Sequence, residues 1–289
     1  MIVAAPTIKK VFSSILILIG RLSQRRGIPV LLYHSVDSTG SVVSITPEEF
    51  RAQMAYLNAT GYKTISLTDF LGYLHSGTVP REQMVVLTFD DGLKNNYTEA
   101  FPILREYGFA ATIFLATDYI DRVCSWEKHD SIPRFPLLSW DEIREMSDYG
   151  IDFESHTCSH PYLNRLTRKE MRNELLGSKM VIETALNKPV TFFCHPYGNS
   201  SRETQESALE CGYVGAFGGL DYGLTNTKEN LYDLTRVGTQ RFTSLEDFKA
   251  GLLGTYDFYI TLRWLMAMLL NKGDKDKKFM KRGEYLKIR

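Results

Sequence analysis

The chain has no excess charge of either sign: 34 Lys and Arg balance 34 Asp and Glu over 289 residues. That balance gives no case for a nucleic acid partner, whose phosphates call for clustered cations. Cysteine is scarce. Cys124, Cys158, Cys194 and Cys211 form no CxxC pair and no dense framework, which excludes a zinc knuckle and a cystine scaffold as organising features. Also missing is an apolar run of the roughly 20 residues that a membrane span requires. The run Val11 to Ile19 is too short and is flanked by Lys9, Lys10, Arg21, Arg25 and Arg26, with no small-residue cleavage site after it. Residues 1–27 therefore read as an amphipathic interfacial helix or a packing helix. At the other end, residues 256–289 carry an apolar segment, Phe258 to Leu270, and a tail rich in Lys and Arg. That pairing suits peripheral contact with an anionic membrane surface, or a packing helix with a solvated tail. The compartment stays open between the cell envelope or membrane surface and the cytoplasm. There is no internal repeat and no low-complexity linker.

What is present lies between these ends, in residues 28–255. Strand-like and helix-like segments alternate. Ile28 to His34 reads as a buried strand. Thr46, Pro47 and Glu49 open a helix with a capping box, along which Phe50, Met54 and Leu57 share one face. Tyr62 to Leu67 reads as a strand, Thr68 as the cap of a short helix, and Val85 to Phe89 as the next strand. A helix from Asn96 to Tyr107 follows, then a strand at Ala110 to Leu115. Residues 118–137 read as a long loop containing Trp126 and His129. Ser139 with Glu142 and Thr167 with Glu170 open two more helices, separated by a strand at Ile151 to Ser155. Strands at Val190 to Cys194, Tyr213 to Phe217 and Leu234 to Val237 complete the alternation, with a helix at 202–211 and another capped by Ser244. This order predicts an α/β fold with a mostly parallel sheet, as a barrel or an open doubly wound sheet.

Three stretches carry chemistry. Val85 to Phe89 is an apolar strand ending in Asp90, Asp91 and Gly92. Neighbouring residues on a strand point to opposite sides, and Gly92 permits a turn, so the two carboxylates divide between binding a metal and moving protons. The second stretch is Ser155-His156-Thr157-Cys158-Ser159-His160. Histidines at i and i+4 face the same way if the segment turns helically. Two imidazoles and one carboxylate leave coordination positions open for water and substrate, which marks a catalytic metal site. In the third, Phe193-Cys194-His195-Pro196-Tyr197-Gly198, Pro196 and Gly198 fix a turn, and Tyr197 offers a ring and a backbone N–H suited to an oxyanion. Pro196, Tyr197 and His195 are read as substrate contacts. His34, Asp90, Asp91, His156 and Tyr197 all fall at or just after strand ends. Active sites of parallel barrels are built at those ends.

Thr-Phe-Asp-Asp-Gly, then Ser-His-Thr-x-x-His, then Pro-Tyr-Gly, in this order, resembles the polysaccharide deacetylase family, the chitin deacetylase-like carbohydrate esterases of family four. The resemblance covers about residues 28 to 250, with softer matches at Leu-Leu-Tyr-His-Ser-Val, Ala-Ala-Thr-Ile-Phe-Leu and Leu-Ser-Trp-Asp-Glu-Ile. It implies a distorted (β/α) barrel of about seven parallel strands and metal-dependent removal of acetyl groups from N-acetylated sugars. Residue by residue, it implies Asp91, His156 and His160 as metal ligands, Asp90 as general base, and the backbone N–H of Tyr197 as oxyanion donor. The implied metal is divalent, zinc by default, with cobalt, manganese or nickel as alternatives.

Two departures matter. Where the family often has Arg two residues before the Pro of the third motif, this chain has Cys194. The late Leu-x-x-His motif is absent, and Leu31-Leu32-Tyr33-His34 resembles it moved to the N-terminus, as in the branch acting on poly-N-acetylglucosamine exopolysaccharide. His34 is therefore expected to be the general acid, and Arg236 to stand in for the missing Arg beside Asp90. His75 and His129 are assigned no catalytic role. The expected activity is metal-dependent N-deacetylation of a GlcNAc-containing polysaccharide or oligosaccharide. The alternatives are deacetylation of another acylated or lipid-linked sugar, and a non-catalytic glycan-binding module on the same scaffold.

Overall fold

Strand β1 (Val30–Tyr33) reads Val-Leu-Leu-Tyr and is buried throughout, as expected of a parallel strand covered on both faces. The computed structural model describes residues 27–77, 82–125, 134–220, 224–225, 230–241 and 243–255. In chain order β1 is followed by β2 (Ser35–Val36), β3 (Ser44–Ile45), α1 (Pro47–Ala59), β4 (Lys63–Thr64), α2 (Leu67–Ser76) and β5 (Met84–Phe89). Then come α3 (Phe101–Tyr107), β6 (Thr112–Leu115), α4 (Trp140–Tyr149), β7 (Asp152–Ser155), α5 (Arg168–Leu186) and β8 (Phe192–Cys194). The series ends with α6 (Arg202–Glu210), β9 (Gly215–Leu220), β10 (Leu234–Gly238) and α7 (Leu245–Leu252).

Seven strands close a ring in the order β1-β10-β9-β8-β7-β6-β5, with β5 pairing back to β1. Every pairing in the ring is parallel, and the closing register runs from Val30 opposite Val86 to Tyr33 opposite Phe89. This is the expected (β/α) barrel. β4 pairs parallel with the start of β5, and β2 and β3 form a separate two-residue ladder.

Strand alternation sorts the core into two bodies. Val30, Val86, Phe114, Phe192, Cys194, Phe217 and Leu234 cluster with Leu67, Phe70 and Leu74 of α2 and fill the barrel interior. Leu31, Tyr33, Leu87, Phe89, Ile113, Leu115, Phe153, Phe193 and Val237 form the outer cluster with helix residues such as Phe50, Met54, Ile143 and Leu175. Fully burying one such side chain is worth about 1.5–3 kcal/mol. The inner row continues past the apolar floor into polar residues. Val86 leads to Thr88 and Asp90, Phe192 to Cys194, and Leu234 to Arg236. The site therefore stands on a packed apolar base, at the carboxyl ends of the strands.

Local signals behaved as their chemistry requires. Thr46 with Glu49, Ser139 with Glu142 and Thr167 with Glu170 all form reciprocal capping boxes, and Pro47 occupies the first turn of α1. Some boundaries differ from expectation. The expected strand at Tyr62 to Leu67 shrinks to Lys63–Thr64, because the Ser66 hydroxyl, rather than Thr68, caps α2 by accepting from the Asp69 N–H. The expected helix from Asn96 begins as a π-helical turn, Asn96–Ala100, before α3. Within the long loop, Cys124, Phe135 and Leu137 pack on Leu93 and Ala116. Trp126, His129 and the terminal segments 1–26 and 256–289 lie outside the described residues. No helix among the described residues is long and apolar enough to cross a membrane.

Candidate active site

β5 ends at Phe89, and the chain then separates its two carboxylates. Asp90 continues the inner row and is only 4% exposed. Asp91 adopts φ 74° and Gly92 φ 72°, so the backbone turns and Asp91 is presented to a different neighbourhood. A Cβ on Gly92 would come within 2.6 Å of the Leu115 side chain, so a larger residue there would strain the turn and displace Leu115.

Inside the barrel, Arg236 meets Asp90 end-on. Nη1 donates to Oδ1 and Nη2 to Oδ2, each at 2.7 Å. Nη1 also donates to Thr88 Oγ1 at 3.2 Å, and the guanidinium lies against the rings of Phe114 and Phe217, 5.7 and 5.3 Å from their centroids. The register slip between β9 and β10 falls at this point of the ladder, where a bulge can re-aim a side chain. Burial alone would push the Asp90 carboxyl up. The Arg236 charge and its paired hydrogen bonds outweigh that and hold it down at about 2. The structure thus places Arg236 in direct contact with Asp90. Cys194 lies beside the pair, its Sγ 3.4 Å from Asp90 Oδ2 and 3.0 Å from Arg236 Nη2.

Asp91, His156 and His160 converge on one point. Asp91 Oδ1 lies 3.4 Å from Nε2 of each histidine, and the two Nε2 atoms are 3.2 Å apart. Ligand bonds of about 2.0–2.2 Å in a tetrahedral zinc site separate neighbouring ligand atoms by about 3.2–3.6 Å. The triangle therefore fits a transition-metal ion as it stands. His156 Nδ1 lies 2.8 Å from the Cys194 carbonyl oxygen. Donation from Nδ1 fixes the tautomer and leaves the Nε2 lone pair for a metal.

The histidines do not converge through a helical turn. Thr157 (φ 73°) and His160 (φ 56°) are both left-handed, and the His160 N–H donates to Thr157 Oγ1 at 3.0 Å. A carboxylate from α5 latches this loop. Glu174 Oε2 accepts from the Cys158 and Ser159 N–H groups at 2.9 and 2.8 Å, and Oε1 accepts from Ser159 Oγ at 2.6 Å. α5 approaches closely enough that a Cβ on Gly177 would be 2.8 Å from Cys158 Sγ. Supporting contacts of this kind typically carry about 10–100-fold in metal affinity. Glu174→Ala should weaken zinc binding by about that factor in competition with a chromophoric chelator. Affinity equal to the unmodified protein would remove the latch from the account.

The other expected residues are placed as follows. His34 follows β1 beside Asp90, whose N–H donates to the Tyr33 carbonyl at 2.9 Å. The His34 carbonyl accepts from buried Asn96 at 2.8 Å, and the side chain lies near enough to act on the charge of both aspartates. Tyr197 takes a left-handed conformation (φ 59°, ψ 13°) in the turn Pro196–Gly198, unusual for a bulky residue. Its ring is 42% exposed and meets His160 edge-on at 4.6 Å. Pro196 is buried. His195 does not reach toward a sugar. It is 1% exposed, its ring packs edge-on to Phe193, and burial pushes its pKa down to about 4. The alternation rule carried that signal: His195 follows Phe193 by two and shares its side of the barrel wall.

A family model described as polysaccharide deacetylase matches residues 77–216. YxkH of Bacillus subtilis (strain 168), named for the same family, is 33% identical over 211 residues, spanning 73% of this chain and 70% of that protein. The poly-beta-1,6-N-acetyl-D-glucosamine N-deacetylase of Staphylococcus epidermidis is 36% identical over 160 residues, which is 55% of this chain and 52% of that enzyme. The crystal structure of BC0361, a polysaccharide deacetylase from Bacillus cereus, superposes with a TM-score of 0.66 at 28% identity, over 78% of this chain and 69% of that one. One-third identity across most of both chains, on the barrel those motifs require, leads to a single conclusion: this chain belongs to the polysaccharide deacetylase family.

Proposed function

We propose that the protein hydrolyses the acetamide of N-acetylglucosamine units in a glycan and that it does so with a divalent metal. The observation that carries this reading is the juxtaposition of two different carboxylates. Asp91 closes a metal-sized triangle with His156 and His160, while Asp90 is kept ionised next to it by Arg236. The name of the staphylococcal relative supports the choice of sugar. Two imidazoles and one carboxylate favour zinc, with cobalt, manganese and nickel as alternatives.

When bound by Asp91, His156 and His160, the ion supplies Lewis-acid polarisation and an acidified water. The chain's own groups do the rest. Asp90 takes the proton of the attacking water on a carboxylate oxygen whose other lone pairs Arg236 engages. The Tyr197 N–H, presented by the left-handed turn, donates to the oxyanion formed at the acetyl carbonyl. His34 gives a proton to the departing amine. The products are acetate and a glucosamine unit.

His34→Ala should lower kcat by about 100-fold, near the lower end for a general acid, with water left to protonate the amine in its place. Near-normal turnover would take His34 out of this role. A deacetylase of another acyl sugar, lipid-linked ones included, uses the same residues and differs in substrate only. A module that merely binds glycans needs neither an ionised base nor an open metal triangle. Acetate release from a panel of N-acetylated glycans, after chelation and after zinc or cobalt is restored, tests the proposal. Release that disappears on chelation and returns with metal supports it. Undiminished release from fully chelated protein overturns the metal dependence, and no release from any glycan by metal-loaded protein overturns the activity.

A further inference from the structure

The loop after β7 and the turn after β8 bring two tyrosines face to face at the mouth of the barrel. The rings of Tyr162 and Tyr197 stack with centroids 3.9 Å apart and planes 8° from parallel. The Arg165 guanidinium lies 4.4 Å over Tyr162, on the face that Tyr197 does not occupy. With His160 edge-on to Tyr197, four side chains form one column, leading from a metal-ligand histidine out to solvent. Tyr162 and Tyr197 are 37% and 42% exposed. A stacked aromatic pair left in water beside a reaction centre marks a surface that a ligand covers.

We infer that Tyr162 and Arg165 form a subsite for the sugar unit next to the one whose acetamide reacts, an inference that rests on the glycan-deacetylase reading above. A pyranose has a face of C–H groups and a rim of hydroxyls, so it suits an aromatic ring with a donor beside it. Arg165 is held on Tyr162 by a solvent-exposed cation–π contact, which is the weak form of that interaction. The C–H face of the neighbouring sugar takes the guanidinium's place on the ring. The displaced guanidinium, which has five N–H donors and no acceptor, then donates to a sugar hydroxyl or acetamide oxygen. The column also sets the register. The reacting unit lies by His160 and the Tyr197 backbone, and its neighbour lies by Tyr162. Asn, Asp or any small residue at 162 would leave the first position intact and remove the second.

The test is acetate release from β-linked N-acetylglucosamine oligomers of two, four and six units, with kcat and KM determined separately for the wild type, Tyr162→Ala, Tyr162→Phe and Arg165→Ala. The wild type should gain kcat/KM with length. Tyr162→Ala should lose about tenfold of that gain, mainly through KM. Tyr162→Phe keeps the ring and should keep the gain, and Arg165→Ala should lose a smaller part of it. An equal loss by Tyr162→Ala at every length would overturn the subsite and leave the ring as a brace for the Tyr197 turn. An unchanged length dependence would overturn it as well. Absence of wild-type release from every oligomer would overturn the functional reading itself, and the sugar subsite with it.

Discussion

Arg236→Met should destabilise the protein by about 3–5 kcal/mol, the usual cost of leaving one member of a buried ion pair alone, and should move the acid limb of the kcat/KM profile to higher pH. Asp90 and Arg236 are 4% and 3% exposed, so solvent does little to screen either charge. The groups that face Asp90 are Arg236, Cys194, His156 and His34. Burial, the largest single influence on Asp90, raises its pKa, and Arg236 is the largest influence opposing it. With methionine in its place burial dominates, and the base is ionised only at higher pH. The sign for stability follows. In the wild type the folded carboxyl sits at about 2, below its unfolded value of about 3.9. It therefore stabilises the fold above that unfolded value, and the contribution is lost as pH falls toward 2. In Arg236→Met the folded pKa lies above the unfolded one. The group then favours the fold only at acid pH, and that contribution disappears as pH rises. Urea unfolding at several pH values reads this directly. An acid dependence of stability identical in the two proteins, with an unshifted rate profile, would show that Arg236 does not set the charge of Asp90.

Much of this site was legible in the sequence because strand ends carry their own punctuation. Asp90, Asp91, His156 and Tyr197 each fall at or just after a strand end, and in a parallel barrel all such ends share one rim. Helix starts were legible for the same local reason: a hydroxyl and a carboxylate three residues apart satisfy each other's backbone groups. Arg236 was reachable only as the answer to a gap. Cys194 stands where a cation was expected, and β10, two strands away in the ring, supplies one from the inner row after Leu234. The less legible parts depend on contacts far apart in the chain. Nothing around Glu174 announces that its carboxylate holds the turn between His156 and His160, because the partners are backbone N–H groups of another element. Asn96 holds the His34 carbonyl from a π-helical turn, a form without a strong sequence signature. Tyr162 had a signal, an aromatic two residues after a ligand histidine, but its meaning depends on the distant Tyr197 turning its ring to meet it. His195 shows the converse. It was read as a sugar contact because of its motif, whereas the two-residue period of its strand had already turned it away.

Asp90→Asn should lower turnover by up to about 10⁴-fold, the upper range for a positioned proton acceptor, while zinc uptake stays intact. The separation follows from the geometry. The metal triangle is made by Asp91 with the two histidines, and Asp90 spends its oxygens on Arg236. A carboxamide keeps the shape and one acceptor but takes up no proton at working pH. It also leaves the buried guanidinium with a neutral partner, so this variant too should lose stability, and it should lack the stability change between about pH 4 and pH 2 that the wild type owes to this group. Combining Asp90→Asn with Arg236→Met then closes a cycle. If the two residues act as one unit, the double variant will be less destabilised than the sum of the single ones, because no unpaired charge remains in the barrel. Turnover in the double variant should be no lower than in Asp90→Asn alone, since the arginine acts on the chemistry only through the carboxylate. Strict additivity in both stability and rate would mean that the pair is structural and that the proton goes elsewhere. Zinc lost together with turnover in Asp90→Asn alone would assign Asp90 to the metal, and the division of labour between the adjacent carboxylates would have to be redrawn.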